Sequence, residues 1–310
     1  MAPSKASLPD LGAFSRLAQS LGFGPHLQSL RLGAGASNDC FLLRFENGSA
    51  VAKSPRAGTS SRLSREAWLL SRLPDGIAPT PYGLVESAGA EIGGLLEAWL
   101  EGKHLFQLDL GHARALGKRL GQLHALSLDG LAPDIEVVEW KTHLERFRNR
   151  WAQASQHVPI SLRQRFGTGL DGVEKIGSKL AMQDTTAIVH GDLIPLNILF
   201  GLDGDCTLLD WELARIDHPA WDVASILKAF RFDAGAIETF FHGYGTRFEP
   251  ATLSFFTGLE NLRVALWRME AFHVRGEFQD VAERFLCELD EEIGQAQTHL
   301  AGLGSSPAAF

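Results

Sequence analysis

Val189-His190-Gly191-Asp192-Leu193-Ile194-Pro195-Leu196-Asn197-Ile198-Leu199, followed by Leu208-Leu209-Asp210-Trp211, is the stretch whose reading decides the fold. An Asp, an Asn and a second Asp stand at intervals of five and thirteen residues, between short apolar runs. Such runs read as buried strands, and polar groups set against buried strands cost several kcal/mol unless they are paired or bind metal. Asp192 is the candidate proton acceptor. Asn197 and Asp210 are hard oxygen donors suited to Mg²⁺. His190 reads as a brace for the loop through hydrogen bonds. Asp203 and Asp205, in Leu202-Asp203-Gly204-Asp205, read as hairpin-turn residues.

Upstream, strand signals dominate. Leu27 to Leu32 leads into a Gly-rich turn, and Cys40 to Phe45 is a second apolar run. Asn47-Gly48 signals a tight hairpin, with Ser49 to Lys53 as the return strand. Residues 60–73 carry Leu63, Ala67 and Leu70 at helical spacing. Two further strands, Tyr82 to Glu86 and Leu95 to Leu100, are expected around a Gly-containing turn. After Gly102 the pattern turns helical: Leu116, Leu120 and Leu123 mark one amphipathic helix, Val138 to Ala154 and Leu162 to Met182 two more. From Trp221 onward nearly everything reads as helix, with a frayed tail from Gly302. The fold class is α+β. A sheet-rich N-lobe over 1–101 precedes a larger helical C-lobe over 102–310, with a hinge near 97–101.

Phosphoryl transfer requires a held triphosphate, metal to neutralise its charge, and an oriented acceptor hydroxyl. Gly33-Ala34-Gly35-Ala36-Ser37-Asn38 lies between two expected strands. Glycines such as Gly33 and Gly35 let main-chain N–H groups approach phosphate, and Ser37 or Asn38 adds a side-chain donor. The same stretch also reads as a plain hairpin turn. It lacks the Gly-Lys-Ser/Thr of a Walker A loop and the following helix of a dinucleotide fingerprint. Lys53 ends Val51-Ala52-Lys53 and can reach phosphates if Glu66, thirteen residues on, holds it. Taken alone, the two also read as an edge Lys and a solvated helical Glu.

The 310 residues are 45% hydrophobic, ample for a packed core, and carry a formal net charge of −8. That balance argues against a nucleic-acid partner. Cys40, Cys206 and Cys287 follow no metal spacing and fit free thiols in a reducing compartment. Residues 1–10 carry no apolar signal region, and no run approaches the length of a membrane span. The expectation is a cytoplasmic protein without a membrane partner. Oligomeric state is left open.

These residues resemble the aminoglycoside phosphotransferase and choline kinase family, which shares the protein-kinase-like fold. His190-Gly191-Asp192 with Asn197 resembles its catalytic loop, and Leu209-Asp210-Trp211-Glu212 its metal-binding segment. Leu120-Gly121-Gln122-Leu123-His124 is similar to its Leu-x-x-Leu-His helix end. Asp217-His218-Pro219-Ala220-Trp221-Asp222 is similar to Gly-Asp-Pro-x-x-Asp, with Asp217-His218 replacing Gly-Asp. Phe240-Phe241-His242-Gly243-Tyr244-Gly245 also fits. The resemblance implies ATP and Mg²⁺ as cofactors, Asp192 as base, and Asn197 and Asp210 as Mg²⁺ ligands. It implies that Lys53, paired with Glu66, holds phosphates and that Asp222 supports the catalytic-loop backbone from a buried helix. It also implies that adenine lies against Glu97 to Leu100, using main-chain groups near Ala98 and Leu100. The family usually has a bulky apolar residue and then Glu there; this chain has Glu97 and then Ala98.

Only eleven residues separate Asp210 from Asp222, and no Ala-Pro-Glu occurs. That leaves little room for a peptide-docking platform and favours a small-molecule acceptor over a protein. The alternative is a nucleotide-binding module without catalysis. For the acceptor pocket, Glu260 and Trp267 share a helical face. With Trp211 and Glu212 they form a carboxylate and aromatic wall suited to a cation, aminoglycoside-like or choline-like. Equally, Trp267 reads as core and Glu260 as the partner of Arg263.

Overall fold

The computed structural model describes residues 11–34, 38–56, 60–86, 92–129, 135–180, 185–279 and 282–305. It divides into two compact units, Met1–Phe106 with Pro195–Ala214, and Gln107–Ile194 with Arg215–Phe310.

The first unit is built on a five-stranded antiparallel sheet in the order β1-β2-β3-β5-β4. Its strands are β1 (His26–Ala34), β2 (Asn38–Phe45), β3 (Gly48–Pro55), β4 (Pro81–Glu86) and β5 (Ile92–Ala98), with helix α2 (Ser60–Leu70) between β3 and β4. The Asn47-Gly48 turn closes β2 onto β3, pairing Phe45 with Gly48 and Cys40 with Lys53. Alternation then decides which residues are buried. Leu43, Ala50, Ala52 and Leu96 pack with Phe14 of helix α1 (Leu11–Ser20) on one face. Lys53 projects from the other.

Strand β5 begins before the expected Leu95. Gly93 and Gly94 lie within it rather than in a turn. A side chain at Gly94 would run into the ring of Phe14 and the main chain of Lys53, so glycine here serves close packing. The hairpin β7 (Ile198–Phe200) with β8 (Cys206–Leu208) belongs to this unit, although the sequence places it in the helical region. Main-chain bonds hold it there. Lys103 and Phe200 exchange N–H···O bonds of 2.9 and 3.0 Å, and Leu208 donates to the carbonyl of Ile77 at 2.9 Å.

The second unit is mostly helical: α3 (Leu110–His124), α4 (Trp140–Ala154), α5 (Ile160–Gly177), α6 (Ala220–Phe230), α7 (Ala234–Tyr244), α8 (Pro250–Met269) and α9 (Ala282–Ser305). Two short strands, β6 (Ala187–Val189) and β9 (Arg215–Asp217), pair antiparallel. The core gathers Phe166, Trp221, Phe255, Phe256, Leu259 and Leu262, all buried. Helices α3 and α7 touch backbone to backbone. Side chains at Gly117 and Gly121 would strike the carbonyls of Phe240 and Tyr244, and one at Gly243 would strike that of Arg114. Helix α9 continues to Ser305, past the expected fraying at Gly302. Among the described residues, no helix is long and apolar enough to cross a membrane.

Candidate active site

In the first unit, Lys53 is 5% exposed and its Nζ lies 2.6 Å from Glu66 Oε1. This is the pair that the sequence suggested, and it is buried rather than a solvated edge. Glu66 also accepts the main-chain N–H of Trp211 at 3.2 Å, linking α2 to the segment after Asp210. Two further carboxylates approach Lys53, Glu97 at 3.3 Å and Asp210 at 4.0 Å. Burial works to lower the Lys53 pKa, but Glu66 and then Glu97 and Asp210 outweigh it and raise it well above the usual lysine range. Burial also pushes the Glu97 carboxyl up, to about 7, against the pull of Lys53.

Asn197 and Asp210 flank the paired ends of the β7–β8 hairpin. Ile198 pairs with Leu208, and Leu209 donates its N–H to the Asn197 carbonyl at 2.8 Å. Asp210 takes φ 65°, a left-handed conformation that Asp tolerates better than most residues. Its side chain is 42% exposed. An amide oxygen and a carboxylate are hard donors, and Mg²⁺ commonly takes only one or two protein carboxylates and completes its shell with phosphate and water. The donor set fits that ion. Asp203 and Asp205 occupy the turn as expected, with Asp205 donating its N–H to Asp203 Oδ1 at 3.2 Å.

Gly33 lies in β1, and Asn38 opens β2 with a buried side chain whose Oδ1 has no hydrogen-bond partner. Gly35 and Ser37 fall outside the described residues. At the expected hinge, Ala98 donates its N–H to the Thr80 carbonyl at 2.9 Å. That donor is committed, so any base held there relies on other main-chain groups of residues 98–100. Trp211 does not join an acceptor wall. It is 1% exposed and spends its Nε1–H on the Leu208 carbonyl at 2.8 Å. Glu212 is half-buried, and its carbonyl accepts from Arg65 at 3.0 Å.

In the second unit, the loop after β6 carries His190, Gly191 and Asp192. Asp222, wholly buried in α6, accepts the N–H groups of His190 and Gly191 at 2.7 and 2.9 Å. His124, at the end of α3, approaches Asp222 Oδ2 through Nε2 at 3.2 Å and the Tyr244 hydroxyl through Nδ1 at 2.8 Å. Burial acts to raise the Asp222 pKa, but His124, His190 and the Gly191 N–H hold it below the usual carboxylate range. Gly191 takes φ 84°, which glycine permits without strain. His190 is itself buried and accepts the N–H of Asp192 at 3.4 Å, the bracing role expected of it.

Asp192 has a neighbour that sequence reasoning did not assign to it. Arg263 of α8 donates from Nη2 to Asp192 Oδ1 at 3.4 Å and grips Glu260 through Nε and Nη2, at 2.6 and 2.7 Å. Glu260, 3% exposed, is thus the partner of Arg263 and is not open to a cationic ligand. Trp267 is 39% exposed rather than buried in the core, and its ring lies 6.0 Å from that of Phe278. Asp217, one of the two departures from the family pattern, is buried between His143 Nε2 at 2.6 Å and Arg215 Nε at 2.8 Å. His143 stacks on Trp221. A partner 74 positions away in sequence leaves no local signal.

Among solved structures, choline kinase LicA from Streptococcus pneumoniae superposes with a TM-score of 0.69 at 20% identity, covering 93% of this chain and 98% of its own. A spectinomycin phosphotransferase, solved with ADP and spectinomycin, does so with a TM-score of 0.69 at 16% identity, covering 89% and 94%. These likenesses establish the fold. A homoserine kinase of Beijerinckia indica is 28% identical over 172 residues, 54% of this chain and 49% of its own. One of Methylorubrum populi is 31% identical over 163 residues, 50% and 49%. The chain spans about half the length of the curated relatives it matches. The model of the phosphotransferase enzyme family matches residues 29–256, a stretch that takes in Lys53, Glu66, the Asp222-held loop and the β7–β8 hairpin. On that match, the chain belongs to the phosphotransferase enzyme family.

Proposed function

We propose that this chain transfers the γ-phosphoryl group of ATP, with Mg²⁺, to a hydroxyl of a small molecule. The observation that carries the reading is the buried Lys53–Glu66 pair at 2.6 Å with Asp210 at 4.0 Å. A lysine fixed by one carboxylate beside a second, exposed one is a site for a phosphate and its metal. Lys53 holds phosphate oxygens, with the main chain around Gly33 and Gly35 and the side chains of Ser37 and Asn38. Main-chain groups of Ala98 and Leu100 hold the base. Asn197 and Asp210 hold Mg²⁺, which neutralises phosphate charge when bound. Asp192 accepts the proton of the acceptor hydroxyl as its oxygen bonds to phosphorus, the bond to the β-phosphate oxygen breaks, and ADP leaves.

The acceptor is read from the surroundings of Asp192. Glu260 and Arg263 are spent on each other, and Arg263 also reaches Asp192, so the wall for a cation loses Glu260 without gaining a free positive charge. The homoserine kinases among the relatives are named for an amino-acid alcohol, which makes homoserine the first acceptor to try.

The test is ADP release over a panel of alcohols: homoserine and other hydroxy acids, choline, ethanolamine and aminoglycosides, with hydrolysis by water subtracted. Turnover of at least one member is expected. In Asp192→Ala, kcat should fall by about 10²–10⁴-fold while Mg-ATP still raises the melting temperature. Undiminished turnover in that variant would remove Asp192 as base. Nucleotide binding with no acceptor phosphorylated would favour the non-catalytic module instead.

A further inference from the structure

Glu97 is a buried carboxylate with one oxygen in use and one idle. Its Oε1 lies 3.3 Å from Lys53 Nζ, its Oε2 has no hydrogen-bond partner, and the residue is 4% exposed. A dry, unpaired oxygen of this kind costs about 1–3 kcal/mol. Lys53 accounts for Oε1 and not for Oε2: of the three ammonium donors, Glu66 takes one at 2.6 Å and Glu97 Oε1 faces another at 3.3 Å. Three carboxylates face a single lysine, and a well-packed apolar residue in place of Glu97 would serve the fold better.

Its placement suggests a use. In the β3–β5 ladder Val51 pairs with Glu97 and Lys53 with Leu95. Residues two apart on a strand share a face, so Lys53, Val51, Leu95 and Glu97 line the same side of the sheet. The next residue, Ala98, ends β5 and begins the main-chain stretch assigned above to the base. Glu97 therefore stands between the lysine assigned to the phosphates and the backbone assigned to the base.

We infer that the idle oxygen of Glu97 accepts the 6-amino group of adenine and makes the site selective for 6-amino over 6-oxo purines. The inference rests on the reading of this unit as the nucleotide site. At about pH 8, above the value of about 7 to which burial pushes it, the Glu97 carboxyl is ionised and only accepts hydrogen bonds. Adenine offers N–H donors at position 6. Hypoxanthine and guanine offer an oxygen there, and oxygen against oxygen in a dry site leaves both unpaired. A carboxylate reads guanine through its N1–H and 2-amino groups only when both oxygens are open side by side. Here Lys53 occupies Oε1.

The experiment is calorimetric titration of the full chain with the Mg²⁺ complexes of ADP, IDP and purine riboside diphosphate, which carries hydrogen at position 6. Wild type should bind ADP about tenfold or more tightly than IDP, with the purine riboside compound between them. Glu97→Gln, which presents an amide N–H₂, should bring ADP and IDP within about threefold by gaining IDP affinity. Glu97→Leu should lose ADP affinity and leave IDP unchanged; where that variant fails to fold, Glu97→Gln alone decides. Equal binding of ADP and IDP by wild type, or a wild-type ratio in Glu97→Gln, overturns the inference and leaves the nucleotide site standing. Wild type that binds none of the three overturns both.

Discussion

The carboxylate of Asp222 accepts the main-chain N–H of His190 at 2.7 Å, across 32 residues of sequence. The other oxygen takes the N–H of Gly191, so one buried anion fixes the two peptide groups that precede Asp192. Asp222→Ala would strand both donors and uncouple His124. Unfolding in urea should show a loss of about 3–5 kcal/mol, the range for breaking a buried, charge-assisted network. A loss under about 1 kcal/mol would mean that the loop holds its shape without this anchor.

Stability should fall in two stages as pH is lowered. His143 and His218 are held below the ordinary histidine value, in both cases mainly by burial. The unfolded chain therefore takes up their protons first, and stability declines as pH drops through about 6.5. Burial acts to raise Asp217, Asp222 and Glu260, but His143, His124 and Arg263 respectively outweigh it and hold all three below the ordinary range. Their stabilisation is complete above about pH 4 and is lost as pH falls through the lower folded values. Melting temperature against pH should show both stages, and Asp222→Asn should flatten the acid one. A steady melting temperature between pH 7 and about 5 would argue that the two histidines are protonated in the folded chain.

Lys53→Met leaves Glu66 and Glu97 buried without their cation. The expected destabilisation is about 3–5 kcal/mol, and adding Glu97→Gln to that variant should recover part of it. Denaturation of the two single variants and the double variant measures the coupling. Strict additivity would show that Lys53 and Glu97 do not interact across their 3.3 Å.

Gly243→Ala sets two effects against each other. Alanine is the better helix former by about 1 kcal/mol. The added methyl, however, runs into the carbonyl of Arg114 on α3. Main chain yields less readily than a side chain, so overpacking should win, with a net loss of about 1–3 kcal/mol. A higher melting temperature for this variant would show that α3 and α7 can move apart freely.

Much of this was legible in the residues. Asn47-Gly48 announced the β2–β3 hairpin, and the spacing from Lys53 to Glu66 put a strand and a helix in reach of each other. The run from Asp192 to Asp210 gave the loop and the hairpin after it. What stayed hidden depends on register and long-range packing. Glu97 becomes a neighbour of Lys53 only once β5 pairs with β3, and the glycines that set where β5 begins look like turn residues. Arg263 lies 71 positions from Asp192. Helical spacing showed that it could pair with Glu260, but nothing local tied either residue to Asp192. Trp211 looked like a ligand-facing aromatic because composition does not reveal which way a ring turns.

The seam between α3 and α7 also limits how this chain can change by mutation. At Gly117, Gly121 and Gly243 the opposing atom is a main-chain oxygen, which every amino acid supplies. No replacement of the facing residue can make room for a larger side chain. A defect at any of these positions should therefore have no compensating suppressor among its direct contacts, and genetic repair should come by reversion or from sites that tilt a whole helix.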